Sequence, residues 1–304
     1  MQSHPAPSRH TVYGLTLETW IPFPELEPAQ PGANVDVVVR LGDVPAELEG
    51  WRHRGARYQT APGRMLAWLD DVARYLVIDG REIIIHPAKG STESDLRLFL
   101  LTSPMGALLL QRDCLPLHAS AIATERGAVV FMGPSGVGKS TIAAAFQQRG
   151  FRVLADDISV IHFAADGTPW VMPGLPRFKL WPDAVARLGS TADELARLRP
   201  QLEKRSFPFQ EGFHPEPLPL EHIVVLQIEG RRKSEVRPIT GLEKVPQLLT
   251  NTYRRKFVSG LGLAASHFGA VSRLAAVAKM TVASRMMDEE HSRVTERIAA
   301  EIGL

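Results

Sequence analysis

A short run in the middle of the chain carries the clearest chemistry. Positions 133 to 140 read GPSGVGKS, the spacing G-x-x-x-x-G-K-[ST], and Thr141 follows. Glycines in such a loop let successive N–H groups turn inward around phosphate oxygens. A helix beginning near Lys139 adds its N-terminal dipole to the same anion site. The motif assigns Gly133, Ser135, Gly136, Val137, Gly138, Lys139, Ser140 and Thr141 to nucleotide binding. Lys139 would reach the β- and γ-phosphates, and the Ser140 hydroxyl would ligate Mg²⁺. Chance gives about one such match per hundred chains of this length, so ATP with Mg²⁺ is the expectation. Asp156 and Asp157 end the next apolar run, where open α/β sheets hold their ligands. One acid would bind the metal beside Ser140, with Asp157 the candidate ligand, and the other would accept a proton from an attacking hydroxyl; the sequence leaves open which of the two is the base. His118, in PLHAS, would bond a phosphate or tune the acid pair, or else is a satisfied core histidine.

These residues need elements to position them. Ala128 to Met132 (AVVFM) is apolar throughout, which suits a strand buried on both faces. Ser140 to Arg149 reads as a helix closed by Gly150, and Arg152 to Ala155 as the next strand, together a βαβ unit. Leu117 to Ala121 is a further strand. Upstream, Val35 to Leu41, Met65 to Leu69, Tyr75 to Asp79 and Glu82 to His86 read as strands, with a turn at Asp79-Gly80. Pro22 to Gly32 is a loop, and Glu93 to Gln111 is mostly helical. Trp181 to Glu203 is expected to be helical and Glu221 to Glu229 a strand. Phe207 to Pro219 is an ordered excursion or flap, and the last sixty residues are mostly helical. The expected architecture is an α/β phosphate-loop domain over 111–304 with a helical C-terminus, preceded by a smaller β-rich domain over 1–110.

Composition narrows the function classes. The 304 residues carry a formal net charge of +2 and are 44% hydrophobic, as a soluble globular protein would be. That balance gives no electrostatic case for nucleic-acid or membrane-surface binding. The single cysteine, Cys114, cannot form an intrachain disulfide or a zinc finger. The start, MQSHPAPSRH, lacks an apolar signal region, and Leu98 to Leu110 is too short and broken to span a bilayer. A cytoplasmic setting is the expectation.

The run LHASAI, then GPSGVGKST, then a Gly-terminated helix and RVLADDISVI, resembles the C-terminal catalytic domain of HPr kinase/phosphorylase. Its relatives include the HPr-kinase-like serine kinases beside lasso-peptide and other peptide-modification systems. The likeness is specific over Leu115 to Ile161. It extends loosely through PGLPRFKLWPDAVARLG, KRSFPFQEGF and TYRRKF. The resemblance implies ATP-dependent phosphorylation of a serine hydroxyl, with Lys139, His118, Asp156 and Asp157 as the catalytic set. It makes Arg177, Lys179 and Arg254 candidate phosphate or acceptor contacts, with Lys204, Arg205 and Arg255 behind them. Thr141 stands where the HPr enzymes carry an acidic residue, and their downstream Asn-Pro signature is absent. A lasso-type precursor peptide fits these departures better than HPr, which stays the alternative. A small-metabolite kinase and a nucleotide-gated binding module stay open too. The HPr enzymes are hexamers, and a homo-oligomer is left open here.

Overall fold

Period-two alternation governs the first third of the chain. Along Ala73–Ile78 buried and half-buried residues alternate without a break, as a strand with one covered face requires. The computed structural model describes residues 6–180, 197–199, 202–209, 211–229, 234–286 and 289–304. They fall into two compact units, Met1–Pro116 with Arg254–Ala270, and Leu117–Tyr253 with Val271–Leu304. The class is mixed α/β, with two mixed sheets and C-terminal helices. Among the described residues no helix is long and apolar enough to cross a membrane.

The first unit is built on β1 (Ser8–Val12), β2 (Leu15–Thr19), β3 (Glu27–Pro28), β4 (Val37–Leu41), β5 (His53–Gly55), β6 (Tyr58–Ala61), β7 (Arg64–Leu69), β8 (Ala73–Ile78) and β9 (Glu82–Pro87). Their order in one sheet is β3-β1-β2-β4-β9-β8-β7-β6-β5. β4 runs parallel to both its neighbours. Asp79 and Gly80 take φ of 48° and 65°, and Arg81 N–H donates to the Ile78 carbonyl at 3.0 Å. The expected hairpin turn between β8 and β9 is there. The helical stretch after β9 is two helices, α1 (Glu93–Leu100) and α2 (Ser103–Gln111). Pro104, at the start of α2, has no N–H to continue a single helix. Met105, Leu108 and Leu109 of α2 are fully buried, which stabilises the unit by about 1.5–3 kcal/mol each.

β10 (Leu115–Leu117) lies at the unit boundary. The second unit continues with β11 (Ala119–Thr124), β12 (Gly127–Met132), α3 (Lys139–Gln148), β13 (Arg152–Ala155), β14 (Ser159–Phe163), β15 (Pro169–Met172), β16 (Arg177–Leu180), β17 (Arg197–Arg199) and β18 (Leu202–Pro208). Then come β19 (Leu218–Ile228), β20 (Glu235–Ile239), α4 (Lys244–Thr250), α5 (Phe257–Gly260), α6 (Ala264–Val277), β21 (Met280–Arg285) and α7 (His291–Ile302). Of these, α5 belongs to the first unit, and α6 is divided between the two. β12 and β21 flank β19 in parallel, while β11 is antiparallel to both β12 and β13.

Four expectations need correction. β12 and β13 are parallel but not adjacent, because the hairpin from β11 into β12 puts β11 between them. The proposed helix Trp181 to Glu203 is strand at 197–199 and from Leu202 onward, pairing through β18 to β16; its stretch 181–196 lies outside the described residues. There strand pairing overrides helix propensity. The last sixty residues are mostly helical as expected, but they also contain β21, a fully buried strand. Its sequence MTVASR, unalternated because both faces are covered, reads equally as a buried helix segment. Phe207 and Pro208 end β18, and Pro219 lies in β19, so only the middle of that excursion is loop. One core joins α3, α7 and the sheet through Phe131, Phe146, Ile142, Val224, Val294 and Ile298.

Candidate active site

The parallel run of β12, β13, β19 and β21 brings their carboxyl ends to one edge, and antiparallel β11 begins there. After Met132 the chain turns at Gly133 (φ 153°), where a Cβ would stand 2.5 Å from the Leu226 carbonyl oxygen of β19. Only glycine lets the loop leave the sheet so close to its neighbour. Val137 is buried in the core and anchors the loop from below. Gly138 (φ 107°) opens α3, so the loop amides lead directly into the helix N-terminus. Lys139 is only 6% exposed. Its Nζ donates to the carbonyls of Gly133 and Pro134 at 2.9 and 3.1 Å, which holds the ammonium over the loop.

The acids leave β13 on the other side of β11. Asp156, 4% exposed, accepts a 2.6 Å hydrogen bond from the Ser120 hydroxyl. The register places Ala121 opposite Ala155, so Ser120 falls beside the strand's end. Asp157 adopts φ 69°, a left-handed conformation that Asp tolerates better than most residues. The two carboxylates meet different partners, Asp156 the Ser120 hydroxyl and Asp157 the His118 ring.

His118 breaks the expected strand Leu117 to Ala121 into β10 and β11. Its N–H donates to the Asn251 carbonyl at 2.7 Å, so its backbone serves a different partner from the sheet. Its Nδ1 lies 3.0 Å from the Asp157 carbonyl oxygen and 3.6 Å from Asp157 Oδ1. A carbonyl only accepts, so Nδ1 carries the proton and Nε2 the lone pair. Burial and then the Lys139 ammonium hold the His118 pKa below its ordinary value, against the opposing pull of Asp157 and Asp156. Those four groups share one electrostatic environment. The Tyr253 ring flanks His118 at 6.0 Å.

The structure thus gathers Lys139, His118, Asp156 and Asp157 at one edge of the sheet. Arg177 is only 8% exposed, so it is not a solvated surface cation. The side chains of Lys179, Lys204 and Arg205 lie outside the described residues. Arg254 is exposed and belongs to the first unit. Cys114 is buried, with its thiol pushed up to about 11 mainly by burial; it stays neutral.

Four further residues take part in the site. Ser120 was legible, because it stands two residues from His118 in a strand-like run and so shares its face. Tyr253 and its neighbour Asn251 gave no local signal. His291, the first residue of α7, has its ring against the loop: a Cβ on Gly138 would lie 2.6 Å from Nε2. The entry to α7 is pinned by Glu289, which accepts from Arg297 and Ser234. The Arg297 hydrogen bond is the main reason the Glu289 carboxyl falls to about 2.

No family model matches the chain, and no curated protein matches it. Among solved structures it is similar to the Hpr(Ser) kinase/phosphatase from Coxiella burnetii, with 8% identity and a TM-score of 0.33. That similarity covers 61% of this chain and 89% of the other.

Proposed function

We propose that this chain transfers a phosphoryl group from Mg·ATP to a serine hydroxyl of a peptide or protein, as an HPr-kinase-like serine kinase. The observation that carries the reading is the meeting of the Lys139 loop with His118, Asp156 and Asp157 at the carboxyl edge of one sheet. The loop fits a polyphosphate: its turn at Gly138 leads into α3, and a buried ammonium stands over it. Turning Lys139 Nζ from two neutral carbonyls to phosphate oxygens would exchange them for stronger, charge-assisted partners.

Ser140 and Asp156 would supply oxygen donors to Mg²⁺, which leaves Asp157, the metal ligand expected from the sequence, for the proton of the acceptor. Among the described residues no group of three or more His, Cys, Asp and Glu side chains converges to hold a metal. Few protein ligands is the usual arrangement for Mg²⁺ at phosphates. When bound, the ion supplies neutralisation of phosphate charge. Asp157 would take the proton of the acceptor hydroxyl, and neutral His118 holds its backbone through Nδ1–H. Asp156, fixed by Ser120, completes the negative side of the site. The acceptor class proposed is a precursor peptide of the lasso type.

Asp157→Asn separates binding from transfer. Nucleotide affinity measured by titration should stay within a few-fold, while the transfer rate falls by about 10²–10⁴. Full transfer by the Asn variant would overturn the assignment of the base.

A further inference from the structure

A broad cleft of about 680 Å³ lies wholly within the first unit. Along it runs a row of side chains in register across three antiparallel strands. Trp68 of β7 stands opposite Arg74 of β8, and Arg74 opposite His86 of β9. Directly opposed residues share a face, with Cβ atoms about 4.5–5.5 Å apart, so an indole, a guanidinium and an imidazole follow one another. Trp68 is half-buried, packed on the small cluster that holds Leu48 and Leu66, and still borders the cleft. Arg74 is half-buried too. Its guanidinium has no hydrogen bond or ion pair among the described residues, and neither has the ammonium of Lys89, which lines the same cleft. The acids nearby serve other groups. Glu47 accepts from Trp51 and Gln59 and pairs with Arg54 at 3.6 Å, and Asp43 meets His86 at 3.4 Å. Asp70, exposed in the turn after β7, pairs with neither cation.

Partial burial takes water from a guanidinium, and an anionic ligand restores what is lost. Two unpaired cations in one cleft suit a dianion, which a phosphate monoester is near neutral pH and a single carboxylate is not. The indole beside Arg74 offers a flat apolar surface on which a planar ring can stack. The volume falls in the range of small-ligand sites and leaves room for a sugar between ring and phosphate. We propose that this cleft binds a nucleoside monophosphate, with its base against Trp68 and its phosphate on Arg74 and Lys89. Nothing in the cleft depends on the kinase reading, since none of its lining residues belongs to the second unit.

The test is calorimetric titration of the full chain with AMP, GMP, CMP and UMP. The nucleoside and inorganic phosphate that make up the tightest binder serve as controls, and each should bind about tenfold or more weakly than the whole. Arg74→Gln gives up no ion pair, so its melting temperature should hold while the nucleotide weakens about tenfold or more. Trp68→Leu should weaken the nucleotide by a similar factor. Trp68→Phe keeps a ring for stacking and most of the packing on the cluster, and should recover much of that loss. Lys139→Ala, in the phosphate loop of the second unit, separates the two sites and should bind the nucleotide as the parent chain does. No binding of any of the four by the parent chain would overturn the proposal. So would a nucleoside or phosphate that binds as tightly as the nucleotide, or unchanged nucleotide affinity in Arg74→Gln or Trp68→Leu. Loss of binding in Lys139→Ala with none in Arg74→Gln would place the nucleotide at the phosphate loop and overturn it as well.

Discussion

Gly138→Ala is the perturbation whose outcome the structure specifies most closely. Two costs arise at one atom. An L-residue at φ 107° is strained by about 1–2 kcal/mol. The new Cβ would also stand 2.6 Å from His291 Nε2 and 2.9 Å from its Cδ2. Forcing either the ring or the loop aside adds about 1–3 kcal/mol of overpacking. The second cost disappears when the ring is removed and the first does not. Gly138→Ala with His291→Ala should therefore regain the overpacking part and keep the backbone part. Thermal unfolding of the four members of the cycle reads this, at about 2–4 °C per kcal/mol for a unit of this size. Parallel ATP titrations should show the same coupling, with tenfold in affinity for each 1.4 kcal/mol that falls on the loop. Strictly additive effects would mean that His291 does not pack on the loop, and the reasoning would fail. A neutral Gly138→Ala would fail it more completely.

Other expectations follow from the same edge of the sheet. Ser120→Ala takes a donor from a buried carboxylate, so unfolding should show a loss of about 1–3 kcal/mol; an unchanged melting temperature would show that Asp156 does not depend on this bond. The His118 ring, followed by NMR, should titrate below about 6.5, because burial and Lys139 depress it. With the folded pKa below the unfolded one, His118 contributes nothing to pH dependence above about 6.5. As pH falls through that value the unfolded chain takes the proton first, and stability is lost until the folded pKa is passed. Lys139→Ala should move the midpoint upward, and a wild-type midpoint at or above 6.5 would contradict the geometry.

Local chemistry was legible wherever it was contiguous. The loop at 133–141 needs its residues in fixed order, so the sequence spells out both the strand before it and the helix after it. The acid pair announces itself because two adjacent carboxylates rarely end an apolar run by accident. What was hidden depends on chain crossings. β21 carries no alternation because it is covered on both faces, so period alone could not separate it from helix. His291 reaches the loop only because α7 packs on α3, and Arg254–Ala270 returns to the first unit with no local mark of doing so. The break at His118 was equally hidden, since it follows from a backbone bond to Asn251, distant in sequence. Arg254 was singled out as a contact by resemblance alone; its left-handed backbone and aromatic surroundings are visible only in three dimensions.

Phosphoryl transfer itself tests the central claim most directly. Wild-type chain and Lys139→Ala would each be incubated with Mg²⁺, ATP and a lasso-type precursor peptide ending in serine, with HPr as a second acceptor, and the acceptors weighed by mass spectrometry. The account predicts a gain of one phosphoryl group on the peptide with wild-type chain and none with Lys139→Ala. Gain on HPr alone would replace the peptide acceptor with the HPr reading. No gain on either acceptor while ATP remains bound, or equal gain with Lys139→Ala, would contradict the account.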